Sequence, residues 1–595
     1  MKIRVSDYIA NFLEKKGVKK VFLVAGGGMM HLLDSIGQAK KIGFIANHHE
    51  QASAIAAEGY ARRSSGLGVC YATSGPGATN IITGVAGAWL DSSPVLFITG
   101  QSKTSQTIRH TKSWGLRQFG AFEVDILPIV KSITKYAVFL DDPNKIHYHL
   151  EKAYHLATTG RPGPVLLDIP VDVQGALIDP QNLPGYTPKR SSTVGMDARI
   201  IGSIIKNLLK AKRPLLLIGH GIRASNSVEN FHALSKLLNI PIVTTQLAKD
   251  ILEYSKPLFV GHPGLKGDRP GNFAIQSADC ILSLGCSLHV LNTGYELDNF
   301  APTAYKILVD IDQHVLQREE VHVNKKICCD LAVFTQAALQ LLHNKYSNLL
   351  PLVKTSEWHK QCRGWKKKFA VTNEPHKKSK DAINYYEFVD VLSDVCQGGE
   401  TIIADAGSSF YVIGQAFRVK PSQRVITSGA LGAMGYGLPA AIGACSASSL
   451  RPVICVIGDG SIQMCIQELA TIAHNCLNIK VFVLNNSGYV SIRNTQNSFF
   501  NGHLVGVDFA SGVSFPDFQK IAEAYNLPYT SINKVNELKE KIAMVLVAKG
   551  PIVCEVHVVT EQEIIPTVSS QKLADGRMVS RSLDDMYPFS IKYRT

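Results

Sequence analysis

The chain has 595 residues, 45% of them hydrophobic and 18% charged, and its 62 basic and 48 acidic side chains give a net charge of +14. This composition is typical of a globular protein with several domains. The basic residues are dispersed and form no known nucleic-acid-binding motif, and no apolar run approaches the roughly 18 residues of a spanning helix, so we expect no nucleic-acid partner and no membrane partner.

The first segment of the chain alternates helices and strands. Apolar residues at positions 8, 9, 12 and 13 recur at helical spacing, and Gly17 closes this first helix. The strand VFLVAGGG follows, and the alternation continues through GVCYATSGPGATN and VLFITG to VLLDIPVDV at about 165–173.

The same alternation occurs twice more. After a loop rich in Pro, Ser and Thr come the strands RPLLLIGHG, PIVTT, CILSLG and YKILVDID, and after a polar, basic linker at about 345–382 come ETIIADAG, RPVICVIGDG and IKVFVLNN. Short apolar strands between helices indicate parallel sheets covered on both faces. We therefore predict an α/β protein of three consecutive parallel-sheet domains, 1–180, 195–345 and 380–570, with a C-terminal closing segment, 571–595.

The most specific motif is GDGSIQMCIQELATIAHNCLNIKVFVLNN, residues 458–486. GDG closes one apolar strand, a helix is predicted from about Ser461 to His474, and NN closes the next strand. A right-handed crossover would place the ends of both strands at the same edge of a sheet.

This edge is predicted to bind a metal ion and a diphosphate. Asp459 and Asn486 converge there as hard oxygen ligands, and the carbonyl of Gly488 can supply a third. So few protein ligands suit Mg2+, which completes its octahedron with phosphate and water oxygens. Gly460 and the helix N-terminus that follows leave room for the diphosphate.

A lone carboxylate, Glu50, lies in NHHEQASAIAAEGYAR, where a strand gives way to an alanine-rich helix. Hydrolytic acid/base catalysis commonly uses two carboxylates, so this single acid has two interpretations. It is either a first-turn carboxylate that faces the positive end of the helix dipole, or part of a site whose other base lies elsewhere.

On these motifs the chain resembles the thiamine diphosphate (ThDP) dependent enzymes, in particular the acetolactate synthase and pyruvate decarboxylase group, over roughly residues 1–590. The blocks HHEQASAIAAEGYARRSSG, TSGPGATN, GRPGPVLLDIPVDVQ and GALGAMGYGLPAAIGA also resemble this family, and they occur in its order. The resemblance implies a pyrimidine-binding domain, a central domain that is a candidate nucleotide-binding fold, and a diphosphate-binding domain.

The resemblance also implies a role for Glu50. In the family this residue hydrogen-bonds N1′ of the aminopyrimidine, and the 4′-imino group then removes the C2 proton of the thiazolium. The carbanion attacks a 2-oxo acid, CO2 leaves, and the enamine adds to an acceptor carbonyl, so that the cofactor carries the difficult chemistry. His48 and His49 either contact the substrate or have a structural role.

Further site residues are implied by position in the family blocks. Met434 matches the bulky residue that holds ThDP in a V shape, with a core methionine as the alternative. Pro76 and Asn80 match the loop against the pyrimidine, and His49 and Gln118 are candidate catalytic residues. The other implied cofactor neighbours are Gly407, Ser408, Ser409, Gly432, Gly458, Gly460, Ser461 and Tyr489.

Two positions depart from the biosynthetic acetolactate synthases. Phe122, in LRQFGAFEVDI, stands where those enzymes carry a Gln that contacts intermediates, and Gln118 is an alternative for that role. After NN, where they carry a Trp, this chain has Tyr489, Val490 and Arg493. These departures weaken the case for branched-chain biosynthesis. GYVSIRNTQNSFF and DGRMVSRSLDDMYPF resemble synthase-like enzymes of sugar or secondary pathways, some of which act on keto sugars. Arg493, or alternatively Lys and Arg side chains of the C-terminal segment, are candidates to hold an anionic acceptor.

Whether the central domain binds FAD is left open by the sequence. Acetolactate synthases hold a structural FAD there, and GHPGLKGDRPGN and SLGCSLH resemble that region in part. Arg269 and Asn272 are the candidate contacts, although a turn that many relatives build around an Arg reads GCS here.

The resemblance implies a ThDP- and Mg2+-dependent carboligase that decarboxylates a 2-oxo acid, with pyruvate preferred, and transfers the acyl unit to a second 2-oxo acid or a keto sugar. A simple decarboxylase or lyase and a non-catalytic ThDP-binding partner are the alternatives. The family places Glu50 and the GDG motif in different subunits, which implies a homodimer or homotetramer with the site at the interface. Twelve cysteines without C-x-x-C spacing predict reduced thiols in a cytoplasmic protein.

Overall fold

Three six-stranded parallel sheets form the protein, and each takes its strands from one stretch of the chain. The computed structural model describes residues 2–188, 196–376, 382–448, 451–572, 575 and 577–589. It confirms the predicted α/β fold of three consecutive parallel-sheet domains. Within these ranges, no helix combines the length and the apolar character needed to cross a membrane.

The first domain has the strand order 2-1-3-4-6-5, counted along the chain. In space its strands are Gly43–Ala46, Lys20–Leu23, Gly68–Ala72, Val95–Gln101, Val165–Pro170 and Tyr136–Phe139. Its helices are Val5–Lys15, Met30–Gln38, Glu50–Ser64 (α1), Pro76–Asn80, Ile82–Leu90, Ile108–Thr111, Ile126–Val130, Ile146–Thr158 and Val171–Gly175. The first helix buries Ile9, Phe12 and Leu13 as its spacing predicts.

The central domain has the order 3-2-1-4-5-6. In space its strands are Phe259–Gly261, Ile242–Thr244, Pro214–Ile218, Cys280–Leu284, Tyr305–Asp310 and Lys325–Cys328. Its helices are Ala198–Lys210, Gly221–Ala224, Val228–Leu238, Arg269–Ser277, Val290–Thr293, Gln313–Gln317 and Leu331–Lys345. The predicted linker contains a further helix, Glu357–Lys368, which packs on this domain and whose Trp358 Nε1 donates to Pro214 O at 2.9 Å.

The third domain repeats the strand order of the first, 2-1-3-4-6-5. In space its strands are Arg424–Thr427, Thr401–Ala404, Val453–Gly458 (β1), Ile479–Asn485 (β2), Ile552–His557 and Tyr529–Ile532. Its helices are Tyr385–Val395, Ser408–Ala416, Gly437–Ala447 (α2), Glu468–His474 (α3), Val490–Phe499 (α4), Phe518–Ala524 and Leu538–Val547.

The helix predicted from 461 to 474 is broken in the structure. A 3-10 turn, Ser461–Met464, precedes α3. The hydroxyl of Ser461 accepts from Gly435 N–H at 3.0 Å, and Cys465 Sγ donates to Gly435 O at 3.0 Å. These side-chain bonds hold the segment against a neighbouring turn, and its backbone N–H groups bond carbonyls three residues earlier, as Cys465 N–H bonds Ile462 O at 3.1 Å, instead of four residues earlier.

Helices α1 and α2 dock the first domain on the third. A Cβ on Gly59 would overlap the backbone of Ala440, and a Cβ on Gly443 would overlap the carbonyl of Ala56. Glycine at both positions therefore lets the two backbones approach closely. The alanine-rich sequence of α1 is explained by this contact, because small side chains permit it.

The C-terminal segment lies on the central domain. Thr567–Val568 pairs with Met586–Tyr587, and Ser570–Lys572 pairs with Met578–Ser580, both antiparallel. The buried Arg269 guanidinium bonds Glu374 at 2.6 Å and donates to the carbonyl of Met586 at 3.1 Å. Arg269, which its ion pair with Glu374 fixes in place, thus binds the C-terminal segment through the carbonyl of Met586.

Candidate functional site

The ends of β1 and β2 bring Asp459 and Asn486 together. The two strands are neighbours in the sheet. Oδ2 of Asp459 accepts the backbone N–H groups of Asn486 and Gly488, each at 3.1 Å, and Oδ1 accepts that of Gly460 at 2.8 Å. The carboxylate is therefore fixed against the loop 486–488.

The polar atoms of this pair fit a hard cation. Burial raises the pKa of Asp459 to about 6, against the opposing effect of its backbone hydrogen bonds. The Oδ1 atom of Asn486 is buried and has no hydrogen-bond partner. An unsatisfied buried oxygen costs about 1–3 kcal/mol, and a coordinated cation would satisfy it.

The number of ligands also fits Mg2+. Among the described residues no cluster of three or more His, Cys, Asp or Glu side chains could hold a metal. A cation at Asp459 would therefore depend on neutral oxygens, water and the phosphates of a ligand, as Mg2+ commonly does. Among the described residues, one backbone N–H, that of Val490 at 3.2 Å, donates to the carbonyl of Gly488, the predicted third ligand.

The predicted diphosphate neighbours lie around this pair. The nine-residue helix Ser408–Ala416 begins at the end of the strand next to β1, with Gly407 at its N-cap. The hydroxyls of Ser408 and Ser491 are 3.3 Å apart, which connects this helix to α4. Ser409 is already engaged, because its hydroxyl accepts from Tyr385 O–H at 2.8 Å.

The turn that carries Met434 adjoins Asp459, Asn486 and Gly488, which we call the metal group. Met434 is partly exposed, so it is not a core methionine. Ser461 bonds the next residue, Gly435, and Gly432 is exposed with a φ of 68°. Gly460 faces the ring of Tyr489 so closely that a Cβ would overlap it. Gly458, the strand residue before Asp459, has open space where a Cβ would stand.

Glu50 lies in a second group of predicted residues, at the first turn of α1. Its Oε2 accepts from Asn80 Nδ2 at 2.9 Å, and Pro76 begins the short helix that carries Asn80. His49 is the N-cap of α1, and its Nδ1 accepts from Gln51 N–H at 3.0 Å. This contact gives His49 a structural role, while the side chain of His48 is exposed.

Phe122 stands beside the Glu50 group in a strained conformation. Its φ is 59° and its side chain is on the surface, with the residue 73% exposed. Its carbonyl lies 2.6 Å from the position of a Cβ on Gly75, whose own φ is 62°. A bulky residue at positive φ is uncommon, and strained residues of this kind cluster at active sites, ligand clamps and switch regions.

A buried carboxylate that the sequence analysis did not identify holds the Phe122 loop. Glu123 accepts the backbone N–H groups of Ile108 at 2.6 Å, Gly120 at 2.9 Å and Phe119 at 3.1 Å. Gln118 is exposed, and its amide donates to Glu123 O at 3.3 Å. Gln118 is therefore part of this loop and adjoins Phe122 rather than the metal group.

Within one chain the two groups are linked indirectly. In the described ranges no hydrogen bond or ion pair connects Glu50 with Asp459 or Asn486. The connection is instead through Glu468 at the start of α3, which is buried and accepts from Asn47 Nδ2 at 2.8 Å and His48 N–H at 2.9 Å. The sequence analysis missed Glu468, because an acid in a first turn has an ordinary explanation in the helix dipole.

Arg493 occupies a different place from the one expected. The residue is only 7% exposed, and its guanidinium donates to backbone carbonyls, the shortest bond being to Thr560 O at 2.7 Å. This contradicts the expectation that Arg493 holds an anionic acceptor, since its donors are directed at the protein.

A cavity of about 370 Å³ lies where the three domains meet. Its central wall is the crevice between strands 1 and 4 of the central sheet, where the strand order reverses and ligands commonly bind. From the two stretches that resemble a flavin region in part, Pro263, Lys266, Gly267 and residues 285–287 line it. Arg269 and Asn272, the candidate flavin contacts, do not line the cavity. Arg269 holds the C-terminal segment, and Asn272 bonds the N–H and the carbonyl of Gly264.

Comparisons with known proteins agree with this arrangement of domains. Family models described as thiamine pyrophosphate enzyme match at 3–121 for the N-terminal TPP binding domain, 201–338 for the central domain and 405–556 for the C-terminal TPP binding domain.

Curated relatives match along almost the whole chain. The acetolactate synthase large subunit of Cyanidium caldarium is 32% identical over 576 residues, 95% of this chain and 94% of the relative. The probable acetolactate synthase large subunit of Methanocaldococcus jannaschii is 33% identical, covering 95% and 93%. The acetolactate synthase isozyme 1 large subunit of Escherichia coli K12 is 30% identical, covering 95% of both chains.

Proposed function

We propose a specific reaction for this chain, which belongs to the thiamine pyrophosphate enzyme family and is an acetolactate synthase-like member of it. It decarboxylates a 2-oxo acid, pyruvate in the first instance, and transfers the acyl unit to an acceptor carbonyl. The observation that carries the proposal is the buried, unpartnered Oδ1 of Asn486 beside the Asp459 carboxylate, since this pair has the chemistry to hold the Mg2+ of a diphosphate cofactor.

The third domain would hold the cofactor by its diphosphate. Asp459, Asn486 and the carbonyl of Gly488 are the proposed Mg2+ ligands, and Ser408 and Ser461 are proposed neighbours of the phosphate oxygens. ThDP, when bound, supplies the electron sink that lets a 2-oxo acid lose CO2. Met434, partly exposed beside this group, would contact the cofactor and help to orient it.

The first domain would supply the single acid. The bond from Asn80 occupies Oε2 of Glu50, and Oε1 faces Gly77, where no side chain stands in the way. We propose that this carboxylate holds a proton against the ring nitrogen of the aminopyrimidine. The position in the first turn of α1 suits a carboxylate as well, so the helix dipole and the cofactor favour the same charge at Glu50.

The site would be completed by a second copy of the chain. Among the described residues, Glu50 has no direct bond to Asp459 or Asn486 of its own chain, and the first and third domains both expose large apolar side chains. They are Trp114, Phe119 and Phe122 on the first domain and Met464, Phe499, Phe500 and Phe509 on the third. A soluble protein rarely leaves so much apolar surface uncovered, which supports a homodimer or homotetramer.

Mixing two inactive variants tests the shared site. In a dimer of Glu50→Gln with Asp459→Asn, one of the two sites keeps both native residues. Half of the dimers are hybrids after free exchange, so about a quarter of the wild-type activity should return. If the mixture stays inactive although the subunits exchange, Glu50 and Asp459 act within one chain.

The cavity between the domains is a candidate nucleotide site. It has a size suited to part of a dinucleotide and lies at the switch point of a sheet. We propose FAD as its ligand, on the partial resemblance of GHPGLKGDRPGN, 261–272, and SLGCSLH, 283–289, to the flavin region. Absorbance of the purified protein at flavin wavelengths, before and after denaturation, tests this, and a colourless protein that binds no added FAD would exclude it.

The acceptor and the alternatives are separated by product analysis. With ThDP, Mg2+ and 13C-labelled pyruvate, a carboligase gives labelled CO2 and a labelled α-hydroxy ketone. This product forms from pyruvate alone if a second 2-oxo acid is the acceptor, and on addition of a keto sugar if the sugar is the acceptor. A simple decarboxylase gives CO2 and acetaldehyde only. Binding of ThDP without CO2 release from pyruvate or longer 2-oxo acids would support the non-catalytic partner and exclude the proposed reaction.

We also propose that the protein works in the cytoplasm. All twelve cysteines are free thiols and nine of them are buried. Thiols persist in reducing compartments, which supports the proposal. Fractionation of the source cells followed by immunodetection would test it.

A further inference from the structure

The loop that carries the proposed Mg2+ ligands is held on two sides. On one side the carboxylate of Asp459 accepts the N–H groups of Asn486 and Gly488. On the other side the guanidinium of Arg493 donates to the carbonyls of the same loop, to Ser487 O at 2.9 Å and, more weakly, to Asn486 O at 3.5 Å. The carboxylate of Asp459 thus binds N–H groups of the loop 486–488, and the guanidinium of Arg493 binds its carbonyls.

Arg493 reaches this loop because of its place in α4. It lies in the first turn of that helix, where side chains point back toward the N-terminus. The same guanidinium donates to Thr560 O at 2.7 Å, and its Nε lies 3.6 Å from Asp508 Oδ2. It therefore fastens the loop to two other segments of the third domain.

The loop needs such support. Ser487, between the ligands, has a φ of 55°, a left-handed conformation that costs a non-glycine residue energy. Gly488 cannot carry a side chain, because a Cβ would overlap both the carbonyl of Val507 and the guanidinium of Arg493. The backbone is thus packed directly against the arginine.

We propose that Arg493 is a positioning residue for the cation, which fixes the loop 486–488 so that its two oxygens meet the metal together with Asp459. A cation would draw on the oxygens of Asp459 that now hold the loop, whereas the bonds of Arg493 use the backbone carbonyls of Asn486 and Ser487, which are not proposed ligands. The hydrogen bonds of the Arg493 guanidinium to the loop therefore persist when the metal binds. This inference rests on the proposed function, because it requires that Mg2+ binds with ThDP.

The test compares variants of two arginines of the same domain. Arg493→Met removes all three hydrogen bonds to backbone carbonyls, and Arg493→Lys keeps the charge but cannot span those carbonyls. Arg418→Met is the matched control, since Arg418 bonds Asp390 and Asp394 instead. Calorimetric titration with Mg2+ at saturating ThDP gives the dissociation constant. The melting temperature of the cation-free protein reports on folding alone.

Residues that orient metal ligands typically contribute about 10- to 100-fold to metal affinity, so Arg493→Met should weaken Mg2+ binding by that factor. Arg493→Lys should fall between it and the wild type, Arg418→Met should bind as the wild type does, and cation-free melting should be retained. Unchanged Mg2+ affinity in Arg493→Met, or an equal loss in Arg418→Met, would overturn the inference.

Two further outcomes are decisive. If Arg493→Met does not fold, Arg493→Lys and Asp508→Asn take its place, and both must weaken Mg2+ binding for the inference to stand. If the wild type itself binds no Mg2+ in the presence of ThDP, the proposed function fails, and the inference fails with it.

Discussion

Asn485 and Asn486 are neighbours with opposite hydrogen bonding, and replacing each by Leu gives a matched pair. Oδ1 of Asn486 is buried without a partner, whereas Asn485 donates to Glu555 at 2.6 Å and accepts from Ser487 N–H at 3.0 Å. Removing the unsatisfied oxygen relieves a penalty of about 1–3 kcal/mol, and removing Asn485 loses two hydrogen bonds of about 1 kcal/mol each. Without cation, we expect Asn486→Leu to be more stable than the wild type and Asn485→Leu to be less stable.

Thermal unfolding with and without Mg2+ and ThDP measures both effects. For a domain of this size, 1 kcal/mol corresponds to about 2–4 °C in the midpoint. Ligands at about 100 times their dissociation constant stabilise the wild type by about 2.7 kcal/mol, and this gain should persist in Asn485→Leu and disappear in Asn486→Leu. The reasoning is refuted if Asn486→Leu melts below the wild type without cation, or if it keeps the full ligand shift.

Three further changes test the fold and its strained positions. Burial raises the pKa of Asp168 to about 7, so the folded state binds a proton that the unfolded state has already lost, and stability falls as pH rises from 5 to 7. Over that range the wild type should lose about 2 kcal/mol relative to Asp168→Asn, measured by unfolding midpoints. Phe122→Gly should raise the free energy of unfolding by about 1 kcal/mol, because glycine adopts the left-handed φ of this mostly exposed residue without strain. Phe122→Ala keeps the Cβ, so it should show no such gain when both variants are compared by denaturant titration. Gly443→Ala should cost at least about 1–3 kcal/mol, since its Cβ meets the backbone of Ala56, and equal melting of variant and wild type would contradict the close contact of α1 with α2.

The architecture could be predicted because strand and helix patterns are local. Apolar runs such as IKVFVLNN and RPVICVIGDG correspond to β2 and β1, and the position of GDG and NN at strand ends follows from them. What was not predicted depends on contacts between distant residues. The identical strand order of the first and third domains is one case, and the helix Glu357–Lys368, whose basic residues obscured its buried tryptophans, is another.

The site was predictable to the extent that its residues share a motif. Asp459, Asn486 and Gly488 lie in one strand–helix–strand unit, and the crossover rule brings them together. Glu468 was missed because its partners, Asn47 and His48, are more than 400 residues away in sequence. The same limit applies to Arg269, expected at a flavin and found in an ion pair with Glu374, since charge and spacing alone do not reveal which partner a buried guanidinium takes.

The central claim is that one carboxylate, Glu50, activates a cofactor bound at Asp459 and Asn486. The direct measurement is hydrogen–deuterium exchange at C2 of ThDP bound to the protein with Mg2+, followed by NMR after rapid acid quench. The account predicts fast exchange in the wild type and loss of at least about 100-fold in Glu50→Gln, with ThDP still bound. Equal exchange in both proteins would remove Glu50 from the mechanism and contradict the account.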